Sequence, residues 1–252
     1  MSDQGHKTLY GAPDLALFYD AVNRWDADFD YCMALAAEAK SVLDLGCGTG
    51  ELASAIAQHL GIQRVTGVDP AAAMLDIARK RPGGDKVAWI EGDARSVRLG
   101  ERFDLVVLTG HVFQVFLTPD DQRAVLATIA AHLDRGGRFI FDSRNLANGV
   151  KENRTRNDAM QRLNHPQLGE VEAWNVSSYD PRTRVLTYEN GYRIISTGQE
   201  HSGSAKIHYT PQEELADMIT SAGLVVEKWL GDWRGGPYHS GAKEIIPVGR
   251  LA

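Results

Sequence analysis

The sequence has little cysteine, no long apolar run and no surplus of basic residues, and each shortage removes a class of protein. Its only two cysteines, Cys32 and Cys47, form no CxxC pair and no Cys/His cluster with zinc spacing. A disulfide scaffold is excluded, and a reducing, cytoplasmic setting is expected. No stretch approaches the roughly 18 uninterrupted apolar residues of a membrane span. The start, Met1 to Tyr10, lacks the apolar centre of a signal peptide. Acidic residues outnumber basic ones by 33 to 27, so there is no electrostatic footprint for a nucleic acid. The expected partner is a small molecule, and the expected state a monomer or homodimer.

What is present is an ordinary globular composition, 43% hydrophobic and 24% charged, sufficient for a sizeable core. Short β-branched runs lie at Ser41–Leu45, Arg64–Asp69, Lys86–Glu91, Phe103–Thr109 and Gly137–Asp142. Amphipathic patterns between them predict helices at Glu51–Leu60, Ala71–Lys80 and Pro119–Leu133, whereas Gly92–Arg102 is too short and polar for one. This βαβα order predicts a parallel sheet with right-handed crossovers. Two more helices are predicted upstream, at Pro13–Val22 and Asp28–Ala39. Downstream, Asn145–Gly169 reads as a loop or short helix. Val171–Tyr179, Thr183–Ile195 and Glu200–Tyr209 read as an antiparallel meander, with Asn190-Gly191 as a competing hairpin signal. Thr210, Pro211 and Glu213 predict a capping box opening a helix that Gly223 stops. Leu224–Leu230 and Lys243–Gly249 follow as closing strands.

The segment Val42–Gly50 leaves the first run and enters the first helix with glycine at 46, 48 and 50. Glycines there let backbone amides approach a ligand at a helix N-terminus. A tight turn alone does not need three at alternating positions. A dinucleotide fingerprint is G-x-G-x-x-G, and here the third glycine comes one place early. A pyrophosphate would also face Asp44 and Glu51. S-adenosylmethionine (SAM) instead brings a sulfonium and an α-ammonium, which Asp44 attracts. Asp69 ends the second run, where a carboxylate suits two ribose hydroxyls, or caps the following helix. In Gly92-Asp93-Ala94 the aspartate is placed to accept from an adenine amino group, although Gly-Asp is also a common turn.

Leu43–Gly50, Asp69-Pro70, Gly92-Asp93-Ala94, Phe103–Thr109 and Gly136-Gly137-Arg138-Phe139 resemble the ordered motifs of the class I SAM-dependent methyltransferases. The resemblance is close from Ser41 to Asn145 and extends to the helix from Pro211 and the last two strands. It implies an α/β fold: a Rossmann-like seven-stranded, mostly parallel sheet in the order 3-2-1-4-5-7-6, last strand antiparallel, with an inserted β-meander. By matching position it assigns Gly46, Cys47 and Gly48 to the methionine part of SAM, Asp69 to ribose, and Asp93 with Ala94 to adenine. Asp44, Pro70, Met74, Thr109 and Gly110 complete the expected cofactor set. The implied domains are residues 1–39 as helices capping the site, 40–145 with 210–252 as the SAM-binding domain, and 146–209 as a lid.

Absences narrow the acceptor. After the fourth strand, Thr109-Gly110-His111-Val112-Phe113 lacks the Pro-Pro-aromatic signature of base-amino methyltransferases and the glutamate pair of arginine enzymes. Neither cysteine follows proline, as a cytosine-carbon nucleophile would. Asp142 and Asn145 could fill only half of a catechol-type metal set, so no metal is expected. The meander resembles the lid of small-molecule methyltransferases, or else serves dimerisation. His111, the first ionisable residue after the fourth strand, is the candidate catalytic group, with a packed core histidine as the alternative. Tyr19, Asn23 and Trp25 are candidate substrate residues, since aromatic faces attract cations; Trp233, Tyr238 and His239 join them from the closing loop. The leading reading is methyl transfer from SAM to a nitrogen or oxygen of a small molecule. A non-catalytic SAM-binding module and an NAD-dependent oxidoreductase are the alternatives.

Overall fold

The structure is a computed structural model and describes residues 8–58, 62–149 and 154–252. In chain order the helices and strands are α1 (Pro13–Val22), α2 (Ala27–Ala36), β1 (Ser41–Leu45), α3 (Glu51–Ala57), β2 (Arg64–Asp69), α4 (Ala72–Ala78), β3 (Val87–Glu91) and β4 (Phe103–Leu108). Then come α5 (Pro119–His132), β5 (Leu133–Phe141), the short β6 (Ser143–Arg144), β7 (Gln161–His165), β8 (Gly169–Asp180), β9 (Val185–Ile194) and β10 (Glu200–His208). The chain closes with α6 (Gln212–Ser221), β11 (Leu224–Leu230) and β12 (Glu244–Leu251). It divides into two compact units, Trp25–Gly149 with His208–Ala252, and the described residues of Met1–Arg24 with Val150–Ile207.

The larger unit holds a sheet ordered β3-β2-β1-β4-β5-β12-β11, with β6 paired to β12. Counting its long strands along the chain, this is the expected 3-2-1-4-5-7-6. The pairs among β1 to β5 are parallel, and β12 runs antiparallel to both β5 and β11. Central strands of such a sheet are covered on both faces, which is why they read as continuous apolar runs. Period-two alternation sorts them. Leu43, Leu45, Val106, Leu108, Phe139 and Phe141 pack with α5 and α6, whereas Val42, Leu105, Val107 and Ile140 pack with Cys32 of α2 and Ile56 of α3. The strand predicted from Gly137 begins four residues earlier, at Leu133. A Cβ at Gly137 would lie 2.8 Å from the Phe103 carbonyl oxygen, so glycine there permits close strand approach.

The smaller unit is an antiparallel sheet ordered β10-β9-β8-β7, with α1 packed on it. Phe18 of α1 stacks on Tyr192 of β9, centroids 4.4 Å apart and planes 3° apart. Apolar burial therefore divides the N-terminal pair of helices: α1 belongs with the antiparallel sheet and α2 with the parallel one.

Three local expectations are corrected. Gln161–His165, read as loop or short helix, is the edge strand β7; its polar residues carry no alternation because an edge strand buries little. Asn190-Gly191 forms no hairpin. It lies within β9, where a Cβ at Gly191 would come within 2.1 Å of the Trp174 ring. The capping box of α6 is absent as well. Its N-cap is Pro211, with no side-chain bond, because the Thr210 hydroxyl is engaged by Gln122 at 2.9 Å and His208 at 3.0 Å. The predicted end of the first helix, Leu60, lies outside the described residues; the helix is described over Glu51–Ala57.

Candidate functional site

In an open parallel sheet, ligands bind at the carboxyl ends of the strands, near the place where strand order reverses. Here that place is between β1 and β4. The glycine loop leaves β1 with positive φ at Gly46, Gly48 and Gly50 (77°, 52° and 74°). It is tied to β2 by Gly46 N–H and Cys47 N–H, which donate to the Val68 carbonyl at 2.7 and 3.1 Å. Two of the glycines face close neighbours: a Cβ on Gly46 would lie 2.5 Å from Val112, and one on Gly50 2.4 Å from Trp89. The loop therefore packs directly against the turn that follows β4.

Asp69 fastens the loop. One carboxylate oxygen accepts from Gly48 N–H at 2.9 Å and the other from Ala71 N–H at 2.9 Å. The helix-cap alternative and a ligand role are thus compatible, since each oxygen keeps a second lone pair. Burial raises the Asp69 pKa, and the bonds from Ala71 and Gly48 offset part of that rise. Asp44 is different. It is only 2% exposed and accepts no hydrogen bond among the described residues. Burial, then the nearby Asp69 charge, pushes its carboxyl up to about 7. A buried carboxylate without a donor is what an ammonium-bearing ligand would complete. The residues present therefore fit SAM.

The other expected cofactor residues spread along the same edge. Met74 is buried on α4, Ala94 is buried after β3, Pro70 and Gly110 are exposed, and Thr109 is half-buried. The Asp93 carboxyl is held below its usual range by its bonds from Arg95. Burial, reinforced by Asp44 and Asp69, pushes the Cys47 thiol well up and keeps it protonated, so it is no nucleophile.

His111 opens the 3-10 turn Val112–Val115 with φ at 63°, an uncommon conformation for a side-chain-bearing residue. Its backbone N–H donates to Asp142 Oδ1 at 2.9 Å. Its ring Nε2 lies 3.0 Å from Glu244 Oε2 and 3.4 Å from Asp142 Oδ2. With two carboxylates facing Nε2, that nitrogen carries the hydrogen, and the lone pair of the neutral ring is on Nδ1. Burial raises the Asp142 pKa, His111 opposes the rise and Glu244 adds to it. The three residues come from the ends of β4 and β5 and the start of β12, whose reversed direction returns its first residue to the same edge.

Three potential ligand atoms of His111, Asp142 and Glu244 lie within 4.8 Å of one another, so a divalent cation could displace the shared hydrogen. Asn145, the other residue weighed for a metal, is occupied structurally: its amide nitrogen donates to the Ser240 and Ala242 carbonyls at 2.9 Å each. Sequence reasoning missed Glu244. A lone acidic residue at a strand start carries no local signal, and only the antiparallel pairing of β12 brings it to His111.

The candidate substrate residues do not form one group. Tyr19 and Asn23, in the smaller unit, line a cavity of about 170 Å³ together with Tyr10, Asn190 and Tyr192. Trp25 is in the larger unit, 40% exposed, donating to Asp30 at 2.7 Å and meeting Phe29 edge-on. Trp233 packs edge-on to Tyr31, and Tyr238 packs against the core, its hydroxyl pKa raised by burial. His239 is exposed.

Sheet order and glycine loop together define a Rossmann-like α/β domain of the methyltransferase type. Residues 42–137 match the methyltransferase domain family. The chain belongs to the class I SAM-dependent methyltransferases, and SAM is its cofactor. It is 32% identical over 218 residues to a dTDP-3-amino-3,4,6-trideoxy-alpha-D-glucopyranose N,N-dimethyltransferase from Streptomyces venezuelae, covering 84% of each chain. It is 28% identical over 217 residues to the cypemycin N-terminal methyltransferase of a Streptomyces species, covering 84% of this chain and 83% of the relative. Among solved structures, the CcbJ methyltransferase from Streptomyces caelestis superposes with a TM-score of 0.80 at 24% identity, over 97% of this chain and 98% of that one. Among the described residues no helix is long and apolar enough to cross a membrane.

Proposed function

We propose that this enzyme methylates an amine nitrogen of a small molecule, with His111 taking the proton that the amine must lose. The observation that carries this reading is the clamp on the His111 ring, with Nε2 turned to Glu244 and Asp142 and Nδ1 left as the basic atom. Two carboxylates behind the ring hold Nε2 as a donor and fix the orientation of the imidazole. They also favour a cationic ammonium over a neutral hydroxyl at this edge. The relative named above as an N,N-dimethyltransferase supports a nitrogen acceptor.

The cofactor assignments follow the same edge. Asp44 pairs with the α-ammonium; Gly46, Cys47, Gly48, Thr109 and Gly110 surround the methionine portion. Asp69 with Pro70 holds the ribose, while Met74, Asp93 and Ala94 hold the adenine. When bound, SAM supplies a methyl on a sulfonium, an electrophile displaced in line. The protein's contribution is alignment, worth roughly 7–11 kcal/mol in well-oriented reactions, and a place for the proton. Trp25, Trp233, Tyr238 and His239 are the acceptor candidates of the larger unit, and Tyr19 and Asn23 those of the smaller unit, where they line their own cavity. The enzyme works in the cytoplasm as a monomer or homodimer.

A thermal-shift panel of SAM, S-adenosylhomocysteine (SAH), NAD, NADP and ATP, followed by a methylation screen of amines against phenols, tests this. Stabilisation by SAM and SAH, with turnover on amines, is expected. Turnover confined to phenols would refute the nitrogen acceptor while leaving the cofactor reading intact.

A further inference from the structure

Asp93, proposed above to accept from the adenine amino group, is already occupied by the protein itself. Arg95, two residues on, turns back onto it. Arg95 Nε lies 3.0 Å from each carboxylate oxygen, and Nη2 lies 2.6 Å from Oδ2. The Arg95 backbone N–H adds a bond of 2.8 Å to Oδ1. Each oxygen thus faces two nitrogen atoms, and a carboxylate offers about four acceptor positions. Little capacity is left for a further donor.

The guanidinium also has a second seat. Its Nη1 donates to Asp121 Oδ1 at 2.8 Å, on the first turn of α5. The other Asp121 oxygen accepts from the Thr118 hydroxyl at 2.8 Å, and Thr118 Oγ1 in turn caps the helix, accepting from Asp121 N–H. Asp121 is therefore a fixed carboxylate that keeps Arg95 paired whether or not it also grips Asp93. The Arg95 and Asp93 side chains are partly exposed, at 45% and 34%, so their bond is weak enough for a ligand to displace.

We propose that Arg95 competes with the adenine amino group for Asp93 and moves onto Asp121 when the cofactor binds. Cofactor affinity is then set against an internal cation, and only a base with an exocyclic amino donor wins Asp93 from it. A 6-oxo base has no hydrogen to offer there, and its oxygen accepts from Arg95 instead. This inference rests on the adenine role of Asp93.

Titration calorimetry with SAH and with S-inosylhomocysteine, the 6-oxo analogue, tests it on wild type, Arg95→Met and Asp93→Ala. Arg95→Met should bind SAH about two- to fivefold more tightly, the range of a displaced exposed ion pair. It should bind the inosine analogue no better than wild type does. Asp93→Ala should weaken SAH about tenfold, the loss of a charge-assisted bond. Unchanged SAH affinity in Asp93→Ala would refute the adenine role and the competition with it. A normal Asp93→Ala loss, with SAH unchanged or weaker in Arg95→Met, would refute the competition alone. An equal gain for both ligands in Arg95→Met would also refute it, since the effect would then not depend on the amino group.

Discussion

If Asp44 pairs with the α-ammonium as proposed, cofactor binding should be sensitive to pH in a range where an exposed aspartate would be silent. Its carboxyl stands at about 7 because it is buried beside Asp69. If only the ionised form pairs with the α-ammonium of SAH, affinity follows the ionised fraction of the free protein. That fraction is about three quarters at pH 7.5 and about 3% at pH 5.5, so affinity should fall about 25-fold between them. Binding near pH 6 should release a proton, visible in calorimetry as a heat that varies with buffer ionisation enthalpy. Stability has the opposite slope. The folded pKa lies above the 3.8 of an unperturbed aspartate, so the folded state holds the extra proton in that window. Stability should decline as pH rises from about 4 to 7, by at most about 4 kcal/mol. Asp44→Asn should flatten both profiles while weakening SAH at pH 7.5. The same binding profile in Asp44→Asn, or a flat one in wild type, would refute the role given to this carboxyl.

The other expectations concern the same edge. His111→Ala should lower kcat on the order of 10²–10⁴-fold with SAH affinity nearly unchanged. Glu244→Gln should lower it less, and high activity in His111→Asn would show that the ring only orients the acceptor. Asp69→Ala should weaken SAH about tenfold by calorimetry, and it should lower Tm because Gly48 N–H and Ala71 N–H lose their acceptor. Dialysis against EDTA should leave turnover unchanged. A loss restored by a divalent cation would place a metal among His111, Asp142 and Glu244.

Much of the larger unit is readable in one dimension because its strands are buried on both faces and its helices on one, so burial writes itself as period. β1, β2 and β11 have the bounds that the pattern predicts, as does α1 of the smaller unit. The glycine loop is readable for a different reason: glycine at 46, 48 and 50 answers a backbone requirement, and backbone requirements are local. What stays hidden is what depends on pairing. β7 is polar because it lies at an edge, Thr210 abandons its helix for Gln122, and Glu244 meets His111 only through a reversed strand. The two N-terminal helices look alike in sequence, yet Phe18 stacks on Tyr192 of β9 and Cys32 lies in the core beneath β1 and β4.

The bond between His111 and Glu244 joins residues 133 positions apart. The glycine loop is closed by neighbours far nearer in sequence, such as Gly48 and Asp69, 21 apart. Closing the longer span costs more entropy, which the docking of β12 between β5 and β11 offsets. The two halves of the enzyme's task thus have different tolerances. Fraying of the final strand by mild denaturant or a C-terminal truncation would release the histidine while the glycine loop still held SAH. Methyl transfer would then fail before cofactor binding does.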